Sequence, residues 1–164
     1  VFRGQGRHKI DAKGRVSIPA TFRRVLEAND PDWTDGLAPN LVIHYGIAAR
    51  DGCLECYTMA AASEVDAKIA ALQRGSENRR ALEAYFNAQS LPASVDDTGR
   101  LVLSQSLRDM IGLKDEALFV AASDTFKIWN PERYEHEVAP RTEVTFAGLK
   151  PGQDPLTLLD GGGI

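Results

Sequence analysis

The chain repeats itself. Residues Ile10 to Leu26 return as Val95 to Ile111 in one fixed register, with Asp11, Gly14, Arg15 and Arg23 answered by Asp96, Gly99, Arg100 and Arg108. Apolar positions are kept between these identities: Val16 and Ile18 match Leu101 and Leu103, Phe22 matches Leu107, and Leu26 matches Ile111. A repeat at this spacing means two copies of one supersecondary unit. Neither copy alone is large enough to bury much surface, so the two are expected to share a core.

Each copy reads as strand, turn, strand, helix. An Asp opening a type I turn accepts backbone N–H bonds, and a Gly three residues later supplies the positive φ that a hairpin with a G1 bulge needs. Asp11, Gly14, Asp96 and Gly99 are therefore read as turn-structural residues. The tip of the first turn carries Lys13 and Arg15, and the tip of the second carries Thr98 and Arg100. Beyond the turn, Val16 and Ile18, or Leu101 and Leu103, alternate with polar positions as a half-buried strand does. The period then becomes helical: Phe22, Val25 and Leu26 follow Pro19, which suits a first helical turn, and Leu107, Met110 and Ile111 repeat the spacing before Gly112.

Residues 1–10 alternate too poorly to read as a strand, although Phe2 is an expected anchor. The stretch from Asn29 to Asn40 is rich in turn formers and looks like an insertion in the first copy. Leu41 to Tyr45 and Cys53 to Tyr57 read as strands joined by a turn near Asp51-Gly52, with Glu116 to Ala122 and Phe126 to Trp129 as their counterparts. Between the copies Val65, Ile69 and Leu72 suggest a helix with a capping box at Ser63 and Asp66, broken at Gly75-Ser76 before Leu82, Tyr85 and Phe86. A further helix is expected from Pro131, limited by Pro140. These readings give an α+β fold divided as a first repeat over 1–59, a helical connection over 60–90, a second repeat over 91–138 and a C-terminal segment over 139–164, mobile from about 150.

Charge is uneven. The whole chain carries a net charge of −4, yet residues 1–24 hold seven basic side chains against Asp11 alone, about +6. Exposed charges act over roughly 10 Å, so a basic N-terminal face on an acidic body is compatible with nucleic acid despite the overall sign. No apolar run approaches the ~20 residues of a membrane span and the first residues have no signal-peptide h-region, so the expected setting is the cytoplasm with no membrane partner.

Catalysis and cofactors find little support. There is no phosphate-binding loop, nucleophile elbow or H-E-x-x-H pattern, and Gly4-Gln5-Gly6 lacks the strand-to-helix context of a dinucleotide loop. Asp11 and Asp96 could form a carboxylate pair, but the turns explain both. Cys53 and Cys56 form a C-x-x-C, yet a zinc site needs about four ligands, and residues three apart on a strand point to opposite faces. No catalytic residue, metal or cofactor is therefore expected, and the two cysteines read as buried thiols of a reducing compartment. Trp129 reads as core; Trp33, in the inserted loop, is a candidate for a subunit boundary.

Phe2-Arg3-Gly4, then His8-x-Ile10-Asp11-x-x-Gly14-Arg15-x-x-Ile18-Pro19-x-x-Phe22-Arg23, and the second Asp96-x-x-Gly99-Arg100-Leu101-x-Leu103-x-x-x-Leu107-Arg108 together resemble the MraZ family across nearly the whole chain. The resemblance implies tandem swapped-hairpin repeats of the AbrB/SpoVT type forming one pseudo-twofold unit. It also implies a ring-shaped homo-oligomer, an octamer or larger, and sequence-specific binding to direct repeats in the promoter of a division and cell-wall gene cluster, hence association with the nucleoid. Under that reading Lys13 and Arg15 contact DNA from the first tip, Arg3 and Arg7 add phosphate contacts, and Arg100 is the one basic contact of the poorer second tip. Arg23 and Arg108 are candidates for ion pairs between repeats or subunits. The competing reading is a ring-forming scaffold with only nonspecific attraction to DNA.

Overall fold

The computed structural model describes residues 1–161 and has eight strands: β1 (Gln5–Lys9), β2 (Arg15–Ser17), β3 (Asn40–His44), β4 (Cys53–Thr58), β5 (Ser90–Ser94), β6 (Arg100–Val102), β7 (Glu116–Ala122) and β8 (Thr125–Trp129). Six form one antiparallel sheet in the order β1-β7-β8-β4-β3-β5, and β2 pairs with β6 in a separate two-stranded ribbon. Exchanging β1 with β5, β2 with β6, β3 with β7 and β4 with β8 leaves both orders unchanged. The registers obey the same pseudo-twofold: Cys53 faces Trp129 and Tyr57 faces Thr125 about a central Glu55–Lys127 pair, while Val16 faces Leu101 at the middle of the ribbon.

The strands are swapped between copies. β1 of the first repeat pairs with β7 of the second, β5 of the second pairs with β3 of the first, and beyond the turn itself β1 and β2 are joined by an isolated Ile10–Val16 bridge in place of a ladder. The fold is thus the α+β tandem swapped-hairpin architecture. One core results, built from Val16, Ile18, Phe22 and Leu26 of one copy with Leu101, Leu103, Leu107 and Ile111 of the other, over the inner face of the large sheet. Phe2 fulfils its anchoring role: its ring meets those of Phe22 and Phe126 edge-on at 5.2 and 5.1 Å. Burial of a phenylalanine of this kind contributes about 1.5–3 kcal/mol, which anchors the segment leading into β1.

Residues 5–9 are a strand after all. β1 is an edge strand whose outward positions Gln5, Arg7 and Lys9 are polar and whose inward positions are Gly6 and His8, so its alternation carries almost no hydrophobic contrast.

Helix α1 (Ala20–Ala28) buries Phe22 and Leu26, with Pro19 standing one residue before it at the cap. Its counterpart α5 (Gln105–Met110) is capped by Ser104, which accepts from Leu107 N at 3.2 Å, and is followed by Gly112 at φ +66°. The turn expected near Asp51-Gly52 is a helical one, α2 (Ala48–Asp51), closed by Gly52 at φ +79°. Helix α3 (Met59–Ala70) begins earlier than the Ser63 capping box suggested. Thr58, the last strand residue, supplies the cap by accepting from Ala61 N at 3.0 Å, so strand passes into helix without a loop. After the break at Gly75, Ser76 caps α4 (Glu77–Leu82), which runs into a π-helical turn over Glu83–Asn87. His44 Nε2 donates to the Tyr85 carbonyl of that turn at 2.9 Å and ties it to the outer face of β3.

Val1–Pro131 is one compact unit and the residues from Glu132 another. Pro140 does not end the second unit's helix. Helical turn α6 (Pro131–Arg133), a π-helical turn over Tyr134–Val138 and α7 (Ala139–Phe146) follow one another without a break, and the widened turn just before Pro140 is where the helix takes in a residue that has no N–H to donate. The stretch expected to be mobile from about 150 includes a 3₁₀ turn over Pro155–Thr157, capped by Asp154, and α8 (Leu158–Gly161); residues 162–164 lie outside the described residues. Among the described residues no helix is long and apolar enough to cross a membrane.

Candidate nucleic-acid interface

The two Asp-x-x-Gly-Arg turns are built alike. Asp11 Oδ1 accepts from Lys13 N and Arg15 N, both at 2.9 Å; Asp96 Oδ1 accepts from Thr98 N at 3.0 Å and Arg100 N at 2.9 Å. Gly14 N donates to the Asp11 carbonyl and Gly99 N to the Asp96 carbonyl, each at 3.0 Å, and the glycines take φ of +81° and +78°. Backbone bonds, chiefly from Arg15 N to Asp11 and from Arg100 N to Asp96, hold both carboxyls below their ordinary value of 3.8. Both turns are thereby fixed with their acids ionised.

Each turn is locked onto the other repeat. Leu103 N donates to the Gly14 carbonyl at 2.8 Å, and Ile18 N to the Gly99 carbonyl at 2.9 Å. A Cβ at Gly14 would run into the Leu103 carbonyl oxygen, and one at Gly99 into the Arg23 guanidinium. Arg23 and Arg108 therefore occupy matching places beneath the opposite repeat's turn, and Arg108 Nε donates to the Leu103 carbonyl at 3.1 Å rather than to a carboxylate.

The ribbon is where the basic residues meet. Val16 and Leu101 point into the core with no exposed surface, so period-2 alternation sends Arg15, Ser17, Arg100 and Val102 outward together. Arg15 faces Val102 and Arg100 faces Ser17, which makes the two arginines diagonal neighbours about 7–8 Å apart. Arg15 Nε bonds Asp11 Oδ2 at 2.6 Å, while Arg100 Nε bonds Thr98 Oγ1 at 2.8 Å and lies 3.4 Å from Asp96 Oδ2. Each guanidinium keeps its Nη donors beyond these Nε contacts, on a stem steered by the turn. The sequence suggested a DNA-reading ribbon within one hairpin; swapping assembles it from two, because β2 and β6 must both bury Val16 and Leu101 in the shared core.

Lys13 stands exposed at the first turn, at one end of this ribbon, and Thr98 at the other. Arg7 and Lys9 are elsewhere: they leave the sheet face opposite Gly6 and His8, whose partners Phe119 and Ala117 are core residues. Burial against Phe119 pushes the His8 imidazole down, so the inward side of β1 adds no charge near neutral pH. Arg3 is farther still, up to about 25 Å of extended chain before Asp11. Lys13, Arg15 and Arg100 are brought onto one ribbon, and Arg3 and Arg7 are not. Ser17 and Val102, which share the ribbon face, were missed because only the inter-repeat register reveals them.

Cys53 and Cys56 are both buried thiols outside any disulfide, with Cys56 in the core and Cys53 on the other face of β4. Burial pushes the Cys56 thiol well up, which removes it from thiolate chemistry at neutral pH.

Comparison with known proteins identifies relatives along nearly the whole chain. A family model described as MraZ protein, putative antitoxin-like, matches residues 88–147. A protein named transcriptional regulator MraZ from Ruegeria sp. (strain TM1040) is 59% identical over 99% of this chain and 96% of its own length. The chain belongs to the MraZ family. Another MraZ of the same printed name, from Ruegeria pomeroyi, is 57% identical over 99% of the chain and 96% of its own length. One from Thermoanaerobacter sp. (strain X514) keeps 30% identity over 94% of the chain and 98% of its own length.

Proposed function

We propose that this MraZ-family chain is a DNA-binding transcriptional regulator, without catalytic activity, that reads promoter direct repeats with the β2–β6 ribbon. The observation that carries the proposal is the convergence of Arg15 and Arg100 on one outward ribbon face, with Lys13 at its end. A two-stranded ribbon fits the major groove, and an arginine presents a planar fork to guanine or phosphate. Arg15 is the principal base-reading group, Lys13 and Arg100 support it, and Arg7, with Arg3 beyond, adds phosphate contacts only from the flank. The relatives' name, transcriptional regulator, supports the regulatory reading. The family resemblance points to the division and cell-wall gene cluster and to a ring-shaped homo-oligomer working in the cytoplasm at the nucleoid. In such a ring each ribbon binds weakly, and linked sites raise affinity through effective concentration.

The test is fluorescence anisotropy of the full chain with duplex from upstream of its own gene, against a scrambled duplex, over a range of salt. Preference for the native duplex near physiological salt, lost in Arg15→Ala, is the expected result. Equal and salt-labile binding to both duplexes would replace this reading with that of a scaffold having nonspecific DNA attraction.

A further inference from the structure

The ribbon has two ends related by the pseudo-twofold, and a surface with that symmetry lies equally well either way round on a duplex. Its outward face has no difference in charge, since Arg15 and Arg100 are equivalent positions and the neutral Ser17 and Val102 exchange about the same axis. The difference in charge lies at the ends. Asp11, Lys13 and Arg15 leave the first turn with one net positive charge; Asp96, Asp97 and Arg100 leave the second with one net negative charge. The reversal comes from two adjacent positions, Ala12-Lys13 against Asp97-Thr98.

A second asymmetry reinforces the first. Eleven residues join α1 to β3, whereas five join α5 to β7, so only the second end is walled by an inserted loop. Asp30 pins that loop by accepting from Asp32 N at 3.0 Å and from Asn40 N at 2.9 Å, and Trp33 Nε1 donates to the Leu37 carbonyl at 2.7 Å. Between loop and turn lies a cavity of about 300 Å³ whose charged lining is Glu27, Asp96 and Asp97 against Arg23 alone. Trp33 lines the same cavity, which gives this loop tryptophan a place within its own chain. These carboxylates act most strongly at their own end of the ribbon, because exposed charges are progressively screened over roughly 10 Å.

We propose that Asp97, exposed on the second turn and backed by Glu27, is an orientation determinant: it holds the second end off the phosphate backbone, so that the ribbon lies on its site one way round. This rests on the DNA-reading function proposed above. It accounts for why Thr98 replaces a lysine while the turn is kept intact. The Thr98 hydroxyl donates to Asp96 Oδ1 at 2.9 Å and accepts from Arg100 Nε at 2.8 Å, drawing that guanidinium back toward its own turn. Repulsion against the wrong arrangement discriminates as effectively as attraction to the right one.

The experiment first enriches a duplex from a random-sequence pool with the wild-type protein. The exposed loop residue Thr34 is then replaced, Thr34→Cys, and labelled with an iron–EDTA cleavage reagent; the native thiols are buried. DNA cleavage reports on which side of the enriched site the second end lies. The expected result is cleavage on one side in the otherwise unchanged protein, and a preference reduced by roughly tenfold or more after D97A/T98K, which gives the second turn the charge of the first. Asp97→Ala alone leaves every turn hydrogen bond in place and should lower the preference partway, so the result does not depend on the double variant folding. Two-sided cleavage by the parent, or one-sided cleavage undiminished in both variants, overturns the orientation role while leaving DNA reading intact. Failure to enrich any sequence overturns the DNA-reading function and this inference with it.

Discussion

The first and second turns share a backbone and differ in what they present. In both, one aspartate oxygen gathers the N–H groups two and four residues on, and a glycine at φ near +80° passes its carbonyl to the opposite repeat. At the tips, Ala12-Lys13 corresponds to Asp97-Thr98, and Arg15 grips its aspartate at 2.6 Å where Arg100 lies at 3.4 Å. The residues that build the turn are thus separable from those that give it a charge. Folding holds the first set constant in both copies, and the second set is free to diverge.

The sharpest way to break the equivalence is at the glycines. Gly14→Ala must place a methyl group at positive φ and against the Leu103 backbone carbonyl, which cannot move without opening the ribbon. Gly99→Ala meets the same φ, but the obstructing group is the end of the Arg23 side chain, which can swing away. The expected losses are about 3 kcal/mol or more for Gly14→Ala and about 1–2 kcal/mol for Gly99→Ala, read from denaturant midpoints at constant slope. Equal losses would mean that Arg23 is held as firmly as a backbone atom.

Next in size is the binding effect of the arginines. Arg15→Ala should weaken specific DNA binding by about 10–100-fold, the range for a lost bidentate base contact, while changing stability little, because an ion pair this open to solvent is screened and adds little to folding. Arg100→Ala should cost only about 2–5-fold, as expected for a phosphate contact at an end that repels phosphate. Titrations on native and scrambled duplexes at two salt concentrations separate the cases. An Arg100→Ala loss as large as that of Arg15→Ala would show the ribbon to be read symmetrically.

Much of this was legible in the sequence because repetition exposes which positions a fold will not vary. Asp11 with Asp96 and Gly14 with Gly99 announce the turns, and Val16, Leu101, Phe22 and Leu107 announce the shared core. What stayed hidden depends on pairing between distant segments. β1 lacks hydrophobic contrast because it is an edge strand, and its pairing with β7 leaves no local trace. The ribbon face of Arg15, Ser17, Arg100 and Val102 exists only through the β2–β6 register. For the same reason Arg7 looked like a neighbour of the first tip in sequence, whereas one residue of strand parity sends it to the other side of the sheet. Helix starts were misplaced where caps came from strand residues, as Thr58 does for α3, because the capping box at Ser63 was the stronger local pattern.

The smallest expected difference lies in the acid dependence of the two turns. Both aspartates have lowered folded pKa values, so their contribution to stability is complete above the ordinary carboxylate value of 3.8 and is lost as pH falls through the lower folded values. The share of the melting temperature that these turns supply should therefore hold above about pH 4 and fall below it, apart from the earlier decline that His8, buried as the neutral imidazole, adds as pH drops through its ordinary value of 6.5. An asparagine keeps an acceptor for the two backbone N–H groups but has no charge to lose. Asp11→Asn should accordingly lower the melting temperature near neutral pH and flatten the acid limb. Asp96→Asn should do the same to a smaller extent at neutral pH, because the Thr98 hydroxyl can still donate to the amide oxygen and Arg100 already rests on Thr98. If Asp96→Asn instead flattens the limb more than Asp11→Asn, the second turn depends more on its charge than the first. Asp97 beside it would then be a cost to folding, in keeping with a role in orientation on DNA rather than in the turn.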